Sequence, residues 1–408
     1  MHNTARPHGR TLLLGVLLLA GHGALAGEAP GLIAGVENTG LDCAVAPVQA
    51  GMPRAGLPDP FLAADGNRIG TRAQWRCQRQ QALHALELQV YGSKGPAPEQ
   101  VSGSVSAERI EVEVRHGGRS ERFSARVHLP PGEGPFPAML VMAGVAGVDP
   151  QLLAREGVAR IEFPSTVLGA ETGQGRRKEG AFFRLYGEDV AGSGTLMAWA
   201  WGVSRIIDVI AASDGRLLRA DAIGVSGCSR HGKGALAAGA FDQRVALTVP
   251  IEPGAGGAPA WRNLPAGAQP ASSAFGEQPW LGDGFGAFSD DPRTLAVDQH
   301  QVLALVAPRG LLVLDNPHVA WLGASAGQAS TLAAAQVYRA LGVAGNIGYH
   351  GEVANPAHCA WRPEWNKPAR DAIRRHLLHQ PADDLPLPAD APGASVDTVR
   401  DWTTPALH

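Results

Sequence analysis

Apolar and polar positions along the chain predict strands that alternate with helices. Residues 110–114 and 123–129 alternate apolar with polar side chains, which predicts a β-hairpin. Short continuous apolar runs further on predict buried strands, at residues 138–142, 158–163, 223–225, 245–251, 310–314 and 347–350. Stretches of helical length lie at residues 196–211, 233–241, 331–341 and 371–379. This order predicts an α/β fold, a three-layer sandwich with a mostly parallel central sheet and helices on both faces.

The two ends of the chain differ from this region. Residues 1–26 have a basic start, a short apolar run and small residues before Gly27, which is the layout of a signal peptide. The run is short for a membrane-spanning helix, and an uncleaved anchor is the alternative. Residues 27–380 are predicted to form a single domain, with a loop at 95–107. Residues 381–408 are rich in Pro and Asp, and we expect this tail to be disordered or to lie on the surface.

Charge and cysteine content narrow the function classes. The formal net charge is -3, so the chain lacks the basic character typical of nucleic-acid binding. Export predicts a secreted or periplasmic protein with no membrane partner after signal cleavage, and we expect a monomer. In an oxidising compartment the four cysteines are expected to pair, and composition alone leaves three connectivities open. No Cys-x-x-Cys or His-rich spacing supports a zinc site.

A serine turn lies between a predicted strand and an Ala-rich predicted helix. Gly227 precedes Ser229 by two positions, as in a sharp strand-turn-helix that lifts a serine hydroxyl clear of a sheet. The second glycine, Gly232, comes one position later than in the Gly-x-Ser-x-Gly pattern. Ser226 is a rival nucleophile because Gly224 stands two positions before it. Ser226 belongs to the end of the strand, so the start of the helix favours Ser229.

A serine nucleophile needs a base to take its proton and an acid to orient that base. Two histidines, His350 and His358, lie at or just after the last predicted strand, where this type of fold carries its base. His350 falls within a predicted strand and His358 in the loop beyond it, which favours His358. Glu252 and Asp315 each follow a predicted strand directly. The pattern leaves both open as the acid.

These segments resemble the glucuronoyl esterases of carbohydrate esterase family 15, which have the α/β-hydrolase fold. The sequence Gly-Cys-Ser-Arg-His-Gly-Lys at residues 227–233 is similar to the family's Gly-Cys-Ser-Arg-x-Gly-Lys signature. The stretch at 249–257 is similar to the one that follows this signature in the family. Further matches are at residues 298–300, 307–309, 316–322 and 358–359. The resemblance covers roughly residues 55–380.

The resemblance implies a catalytic set. Ser229 would be the nucleophile, His358 the base and Glu252 the acid. Arg230 would help to bind the oxyanion, because a fixed guanidinium beside the nucleophile stabilises the negative oxygen of a tetrahedral intermediate. Some bacterial members place the acid after the next strand, but the positions just before Trp321 hold no carboxylate here. Asp315 therefore remains only the second candidate for the acid.

The resemblance also implies a set of residues that recognise a glucuronate ring and two disulfides. The ring would contact Lys233, Gln269, Glu277 and Trp321. Lys233 lies one helical turn after the nucleophile, and an aromatic face suits the apolar side of a sugar. The alternatives are a solvated lysine, a polar surface loop and a packed tryptophan. The implied disulfides are Cys228–Cys359, which would join the nucleophile turn to the histidine loop, and Cys43–Cys77.

The function that follows from the resemblance is a serine esterase acting on a carbohydrate substrate. It would hydrolyse esters of glucuronic acid or 4-O-methyl-glucuronic acid, as in the lignin–carbohydrate linkages of glucuronoxylan, without metal or organic cofactor. An acetylxylan-type or general carboxylesterase on the same fold is the alternative, and it would need an apolar acyl pocket. A third hypothesis is a carbohydrate-binding protein that has lost catalysis, although all triad residue types are present.

Overall fold

A nine-stranded sheet forms the centre of the protein in a computed structural model, which describes residues 1–2, 36–144, 146–388 and 400–408. The strands are β1 (Gln100–Val105), β2 (Arg109–His116), β3 (Arg119–His128), β4 (Phe136–Met142), β5 (Ala159–Phe163), β6 (Leu218–Cys228), β7 (Val245–Ile251), β8 (Gly310–Leu314) and β9 (Ile347–His350). Their spatial order is β1-β2-β3-β5-β4-β6-β7-β8-β9. The pairings from β1 to β3 and between β3 and β5 are antiparallel, and all others are parallel. The predicted mostly parallel sheet with an antiparallel edge is confirmed.

Ten α-helices accompany the sheet within the described ranges. They are α1 (Arg72–Leu86), α2 (Pro150–Arg155), α3 (Ser165–Leu168), α4 (Ala181–Tyr186), α5 (Thr195–Ala212), α6 (Arg230–Phe241), α7 (Ala271–Glu277), α8 (Gln299–Ala304), α9 (Ala324–Ala340) and α10 (Asn366–His376). The four helices that the sequence predicts correspond to α5, α6, α9 and α10. Their bounds differ most at the start of α9, which was predicted at residue 331 and lies at Ala324.

Alternate residues of the central strands face two separate hydrophobic cores. In β8, Leu311 and Val313 belong to the larger core, whereas Leu312 and Leu314 belong to the smaller one. Helices α5, α6 and α9 contribute to the larger core, and α2 and α10 to the smaller. Because successive side chains of a strand point to opposite faces, a strand buried on both faces is apolar throughout. This explains the continuous apolar runs of β4, β7 and β8.

Strand β1 and helix α1 differ from the sequence prediction, and the short helices α2, α3, α4, α7 and α8 were not predicted either. The loop predicted at 95–107 is wrong for Gln100–Val105, which forms the edge strand β1 with mostly exposed side chains and therefore no apolar alternation. Helix α1 was not predicted, because its mean composition is polar. Its start does carry a sequence signal, since Thr71 caps the helix and Gln74 completes a capping box.

The described parts of the C-terminal tail are docked on the domain, so of the two expectations, disorder or a position on the surface, disorder does not hold for these parts. Trp402 and Leu407 are buried in the larger core, and Leu385 is buried in the smaller one. The backbone N–H of Tyr349 donates to Pro386 O at 2.7 Å, which adds the tail to the open edge of the sheet beside β9. The described residues between Leu32 and His408 form one compact unit.

The predicted signal peptide at residues 1–26 lies outside the described residues apart from its first two. Within the described ranges, one helix is long and apolar enough to cross a membrane, and this is α5. Its apolar window is 83% buried inside the fold. A helix in the core of a globular protein has a similar apolar composition, because other elements cover all of its sides.

Candidate active site

The residues singled out in the sequence follow four neighbouring strands of the sheet at the same edge. Ser229 follows β6, Glu252 follows β7, Asp315 follows β8, and the loop with His358 follows β9. Carboxyl ends of parallel strands meet at one edge of a sheet, where α/β proteins usually bind their ligands. Ser229, Glu252 and Cys359 have positive φ angles of 58°, 44° and 62°. Non-glycine residues with such backbones are strained and cluster at functional sites.

The serine turn needs both of its glycines because backbones approach closely there. A Cβ on Gly227 would lie 2.6 Å from His231 O, and one on Gly232 would lie 2.8 Å from Ile251 O. Helix α6 therefore packs against the end of β7 through Gly232, which explains why residue 232 is a glycine. The Ser229 N–H donates to Ile251 O at 2.9 Å and fixes the turn.

The rival nucleophile and the rival base lie elsewhere. Ser226 is fully buried within β6, where it pairs with Val141 on one side and Val249 on the other. His350 pairs with Leu314 at the end of β9. Neither side chain lines the cavity described below.

The imidazole of His358 is held by Glu252. His358 Nδ1 lies 2.5 Å from Glu252 Oε2, and the Cys359 N–H donates to the same oxygen at 2.8 Å. The other oxygen, Oε1, accepts from Arg362 Nη1 at 2.7 Å and from Asn316 Nδ2 at 3.3 Å. Burial would raise the pKa of Glu252, but the hydrogen bonds from His358, Cys359 and Arg362 outweigh it and lower the pKa. Glu252 is therefore ionised at neutral pH.

Asp315 is fully buried beside this carboxylate, and among the described side chains no hydrogen bond joins it to His358. Its Oδ1 accepts from the Asn316 N–H at 2.9 Å, and its Oδ2 lies 3.3 Å from the Tyr349 hydroxyl. Burial raises the pKa of Asp315 to about 7, and the charge of Glu252 adds to the effect. The structure thus brings Glu252, and not Asp315, to the histidine.

A disulfide joins the residue before Ser229 to the residue after His358. Cys228 and Cys359 are bonded with 5.7 Å between their Cα atoms, and Cys43 and Cys77 form the second disulfide, as the resemblance implies. Among the described side chains no hydrogen bond joins Ser229 to His358, whose Nε2 lies 3.5 Å from Cys359 Sγ. Catalytic hydrogen bonds of this kind often tighten only in the complex with substrate.

Ser229 opens into a cavity of about 540 Å³. All four side chains that the resemblance assigns to sugar recognition line it, namely Lys233, Gln269, Glu277 and Trp321. Gln269 Nε2 donates to Glu277 Oε2 at 2.7 Å across the two ends of α7. The exposed ring of Trp321 meets the His358 ring edge-to-face at 4.7 Å, so the cavity adjoins the histidine.

Two cations lie in the wall of this cavity. Lys233 is buried, its Nζ donates to Pro253 O at 2.7 Å, and burial lowers its pKa to about 8. Arg230 is partly exposed, with Nη1 at 3.6 Å from Glu171 and Nη2 at 4.0 Å from Glu277. Because Lys233 is buried, the alternative that it is a solvated helix lysine is wrong.

Sequence reasoning missed two further residues of the cavity region. Trp280 lines the cavity with Lys233 Nζ 5.1 Å and Arg230 Cζ 5.5 Å from its ring centre. Its Nε1 donates to Glu171 Oε1 at 2.6 Å. Glu171 and Trp280 come from loops far apart in the chain, so no sequence spacing could have indicated this contact.

Four residues of metal-ligating types lie together around the histidine, and they are Cys228, Glu252, His358 and Cys359. The two sulfurs are joined in a disulfide, so they are not thiolate ligands. His358 Nδ1 and the Glu252 carboxylate are bonded to each other. The chemistry of this group suits proton transfer better than metal binding.

Comparisons with known proteins identify the family of the chain. Residues 112–342 match the family model for fungal glucuronyl esterases. A 4-O-methyl-glucuronoyl methylesterase from Schizophyllum commune is 36% identical over 345 residues, which are 83% of this chain and 87% of that protein.

Two solved structures are similar over almost their whole length. The glucuronoyl esterase catalytic domain from Hypocrea jecorina has a TM-score of 0.83 and 33% identity, covering 89% of this chain and 99% of that one. A glucuronoyl esterase from Sporotrichum thermophile also has a TM-score of 0.83, with 34% identity over 90% of this chain and 100% of that one. The latter is a serine-to-alanine mutant in complex with methyl 4-O-methyl-β-D-glucopyranuronate.

Proposed function

The chain belongs to the glucuronoyl esterase family of ester hydrolases, and we propose that it cleaves glucuronate esters with a Ser229–His358–Glu252 triad. One observation carries this proposal. Ser229 shares a cavity with the polar side chains of Lys233, Gln269 and Glu277, and a carboxylate-bound histidine adjoins that cavity.

In the acylation step, Ser229 Oγ attacks the C6 carbonyl carbon of the sugar acid while His358 Nε2 takes the hydroxyl proton. The His358 Nδ1–H donates to Glu252, whose negative charge stabilises the imidazolium that forms. The imidazolium then gives its proton to the departing alcohol. Water attacks the acyl-enzyme by the same route and releases glucuronate.

The negative oxygen of the tetrahedral intermediate faces Arg230 in this proposal. We expect Arg230→Met to lower kcat by roughly 100- to 1,000-fold with a smaller change in KM, because the guanidinium acts on charge that develops in the transition state. The initial rate of alcohol release from benzyl glucuronate measures this. Arg177→Met is the control, since Arg177 pairs with Glu179 on the surface. A purely KM effect would contradict the oxyanion role.

The substrate class follows from the acyl side of the cavity. A sugar acid presents hydroxyl groups and one apolar face. The hydroxyl groups match the Gln269 amide and the charged groups of Glu277 and Lys233, and the apolar face matches the exposed ring of Trp321. The relatives are named for 4-O-methyl-glucuronoyl esters, and one solved relative holds such a methyl ester. We propose that the natural substrates are lignin–carbohydrate esters of glucuronoxylan, met outside the cell or in the periplasm.

The alternative function is that of a general carboxylesterase or acetylxylan-type esterase. The polar acyl pocket fits this alternative less well. Two substrates with the same leaving alcohol, benzyl glucuronate and benzyl acetate, separate the two functions. We expect kcat/KM to be at least about 100-fold higher for the glucuronate, as two or three lost hydrogen bonds would give. Equal or faster turnover of the acetate would favour the alternative.

Lys233 should make binding of the glucuronate substrate depend on pH. We expect Lys233→Met to raise KM for benzyl glucuronate by roughly 10- to 100-fold, because a hydrogen bond from a charged donor contributes about 1.5–3 kcal/mol. Since the pKa of Lys233 is lowered to about 8, the wild-type ammonium loses its proton as pH rises through 8. KM of the wild type should therefore rise above this pH, whereas KM of the variant stays flat. Benzyl acetate is the control substrate, and a shared alkaline rise in KM would contradict the role.

A further inference from the structure

One arginine holds the loop of the base and the carboxylate of the acid at the same time. Arg362 comes four residues after His358, and its side chain is 1% exposed. Its Nη1 donates to Glu252 Oε1 at 2.7 Å and to Ala360 O at 2.9 Å. Its Nη2 donates to Ala357 O and to Asn355 O. The accepting carbonyls stand on both sides of His358 in the loop.

The guanidinium is itself fixed by packing. It lies over the ring of Trp365, 4.5 Å from the centroid, and Trp365 is fully buried in the smaller core. Trp365 directly precedes α10, so the residue that holds the Arg362 guanidinium is anchored to a helix that packs on the sheet. Because packing fixes the guanidinium, the directions of its hydrogen bonds are fixed as well.

The two oxygens of Glu252 are divided between two tasks. Arg362 and Asn316 occupy Oε1, so Oε2 alone is directed at the imidazole. We propose that Arg362 is a positioning residue of the triad, which orients the Glu252 carboxylate and clamps the histidine loop onto it. This inference rests on the proposed Ser229–His358–Glu252 function.

Loss of the Arg362 charge should change the pH dependence of kcat/KM. The titratable groups that face Glu252 are His358 and Arg362 from the loop and Asp315 from the end of β8. Removing a cation raises the pKa of the groups around it, and the burial of Glu252 raises its pKa further once the ion pair is gone. The acidic limb of the kcat/KM profile reports these groups in the free enzyme and should move to higher pH.

Arg362→Gln tests the clamp, with Arg309→Gln as the matched control. Arg309 is also buried, and it donates to the carbonyls of Asp242, Val245 and Gly239 at the opposite end of β7, away from the triad. Both variants are expected to unfold at lower temperature. Arg362→Gln alone should lower kcat for benzyl glucuronate by roughly 10- to 100-fold, because a small misplacement of catalytic groups can cost about 100-fold. Its KM should change little, because Arg362 does not line the cavity.

The pH profile decides between a positioning role and a structural one. An upward shift of the acidic limb in Arg362→Gln, absent from Arg309→Gln, supports the proposal. Equal losses of kcat and unchanged limbs in both variants overturn it. If Arg362→Gln does not fold, Arg362→Lys carries the test. It keeps the charge but not the forked donors, so kcat should fall while the acidic limb stays in place, and unchanged kcat overturns the clamp. Full activity of Ser229→Ala would instead refute the triad itself.

Discussion

Ser229→Ala is expected to lower kcat for benzyl glucuronate by roughly 10⁵- to 10⁶-fold, which is the loss seen when a serine hydrolase loses its nucleophile. The cavity and the oxyanion donors remain in this variant, so binding of the substrate should persist while acylation stops. Release of benzyl alcohol measures the rate, and thermal unfolding shows whether the fold is kept.

Ser226→Ala provides a matched control for this result. Ser226 lies three residues earlier on β6, is fully buried, and its hydroxyl makes no hydrogen bond within the described part of the chain. Its removal should change kcat by less than about tenfold, as for substitutions that leave the reacting groups in place. Retained activity in Ser229→Ala together with a large loss in Ser226→Ala would move the nucleophile into the strand.

Glu252→Gln is expected to lower kcat by roughly 10⁴-fold, since an acid that orients a catalytic histidine contributes about this much. An amide at this position would present an N–H or a neutral oxygen to His358 and would leave the imidazolium without its counter-charge. The carboxylate is buried, so water cannot replace it. The same benzyl glucuronate assay measures the loss.

Asp315→Asn is the comparison for the acid, and we expect less than about a tenfold loss. The Tyr349 hydroxyl lies 2.9 Å from Ala324 O, which can only accept, so the phenol proton goes to that carbonyl. The Tyr349 hydroxyl also lies 3.3 Å from Asp315 Oδ2, and burial raises the pKa of Asp315 to about 7. A neutral amide of similar size can therefore replace this buried carboxyl group without removing the partner of His358, which is Glu252. A larger loss for Asp315→Asn than for Glu252→Gln would place the acid after β8.

Much of the sheet could be predicted because its central strands are buried on both faces. The central strands Val245–Ile251 and Gly310–Leu314 have the bounds that the apolar runs indicate, and so does the terminal strand Ile347–His350. The edge strand β1 is mostly exposed and carries no such run. Helix α1 begins with a capping box that a search for helix starts would have found.

The candidate site was predictable only where a motif marks it. Residues 227–233 carry a seven-residue signature, and the separation of eight between Gln269 and Glu277 corresponds to a direct hydrogen bond. The choice between Glu252 and Asp315 could not be made from strand order, because both follow a strand. It depends on which carboxylate the loop after β9 reaches, and that loop is held by Arg362 and by the Cys228–Cys359 disulfide.

The tertiary contacts around Arg230 were also beyond the reach of the sequence. Glu171 lies in the loop between α3 and α4, and Trp280 lies in the segment after α7. They meet at 2.6 Å beside Arg230 because the two loops fold over the same edge of the sheet. A single glutamate or tryptophan in a loop has no pattern that distinguishes it from a packed or solvated residue.

Covalent labelling of the nucleophile tests the central claim most directly. A phosphonate analogue of benzyl glucuronate mimics the tetrahedral intermediate and leaves a stable adduct on the residue that attacks it. We predict one adduct per chain, found by peptide mass spectrometry on Ser229, with loss of activity in proportion to labelling and no adduct in Ser229→Ala. Labelling of another residue, or inactivation of Ser229→Ala by the same reagent, would contradict the account.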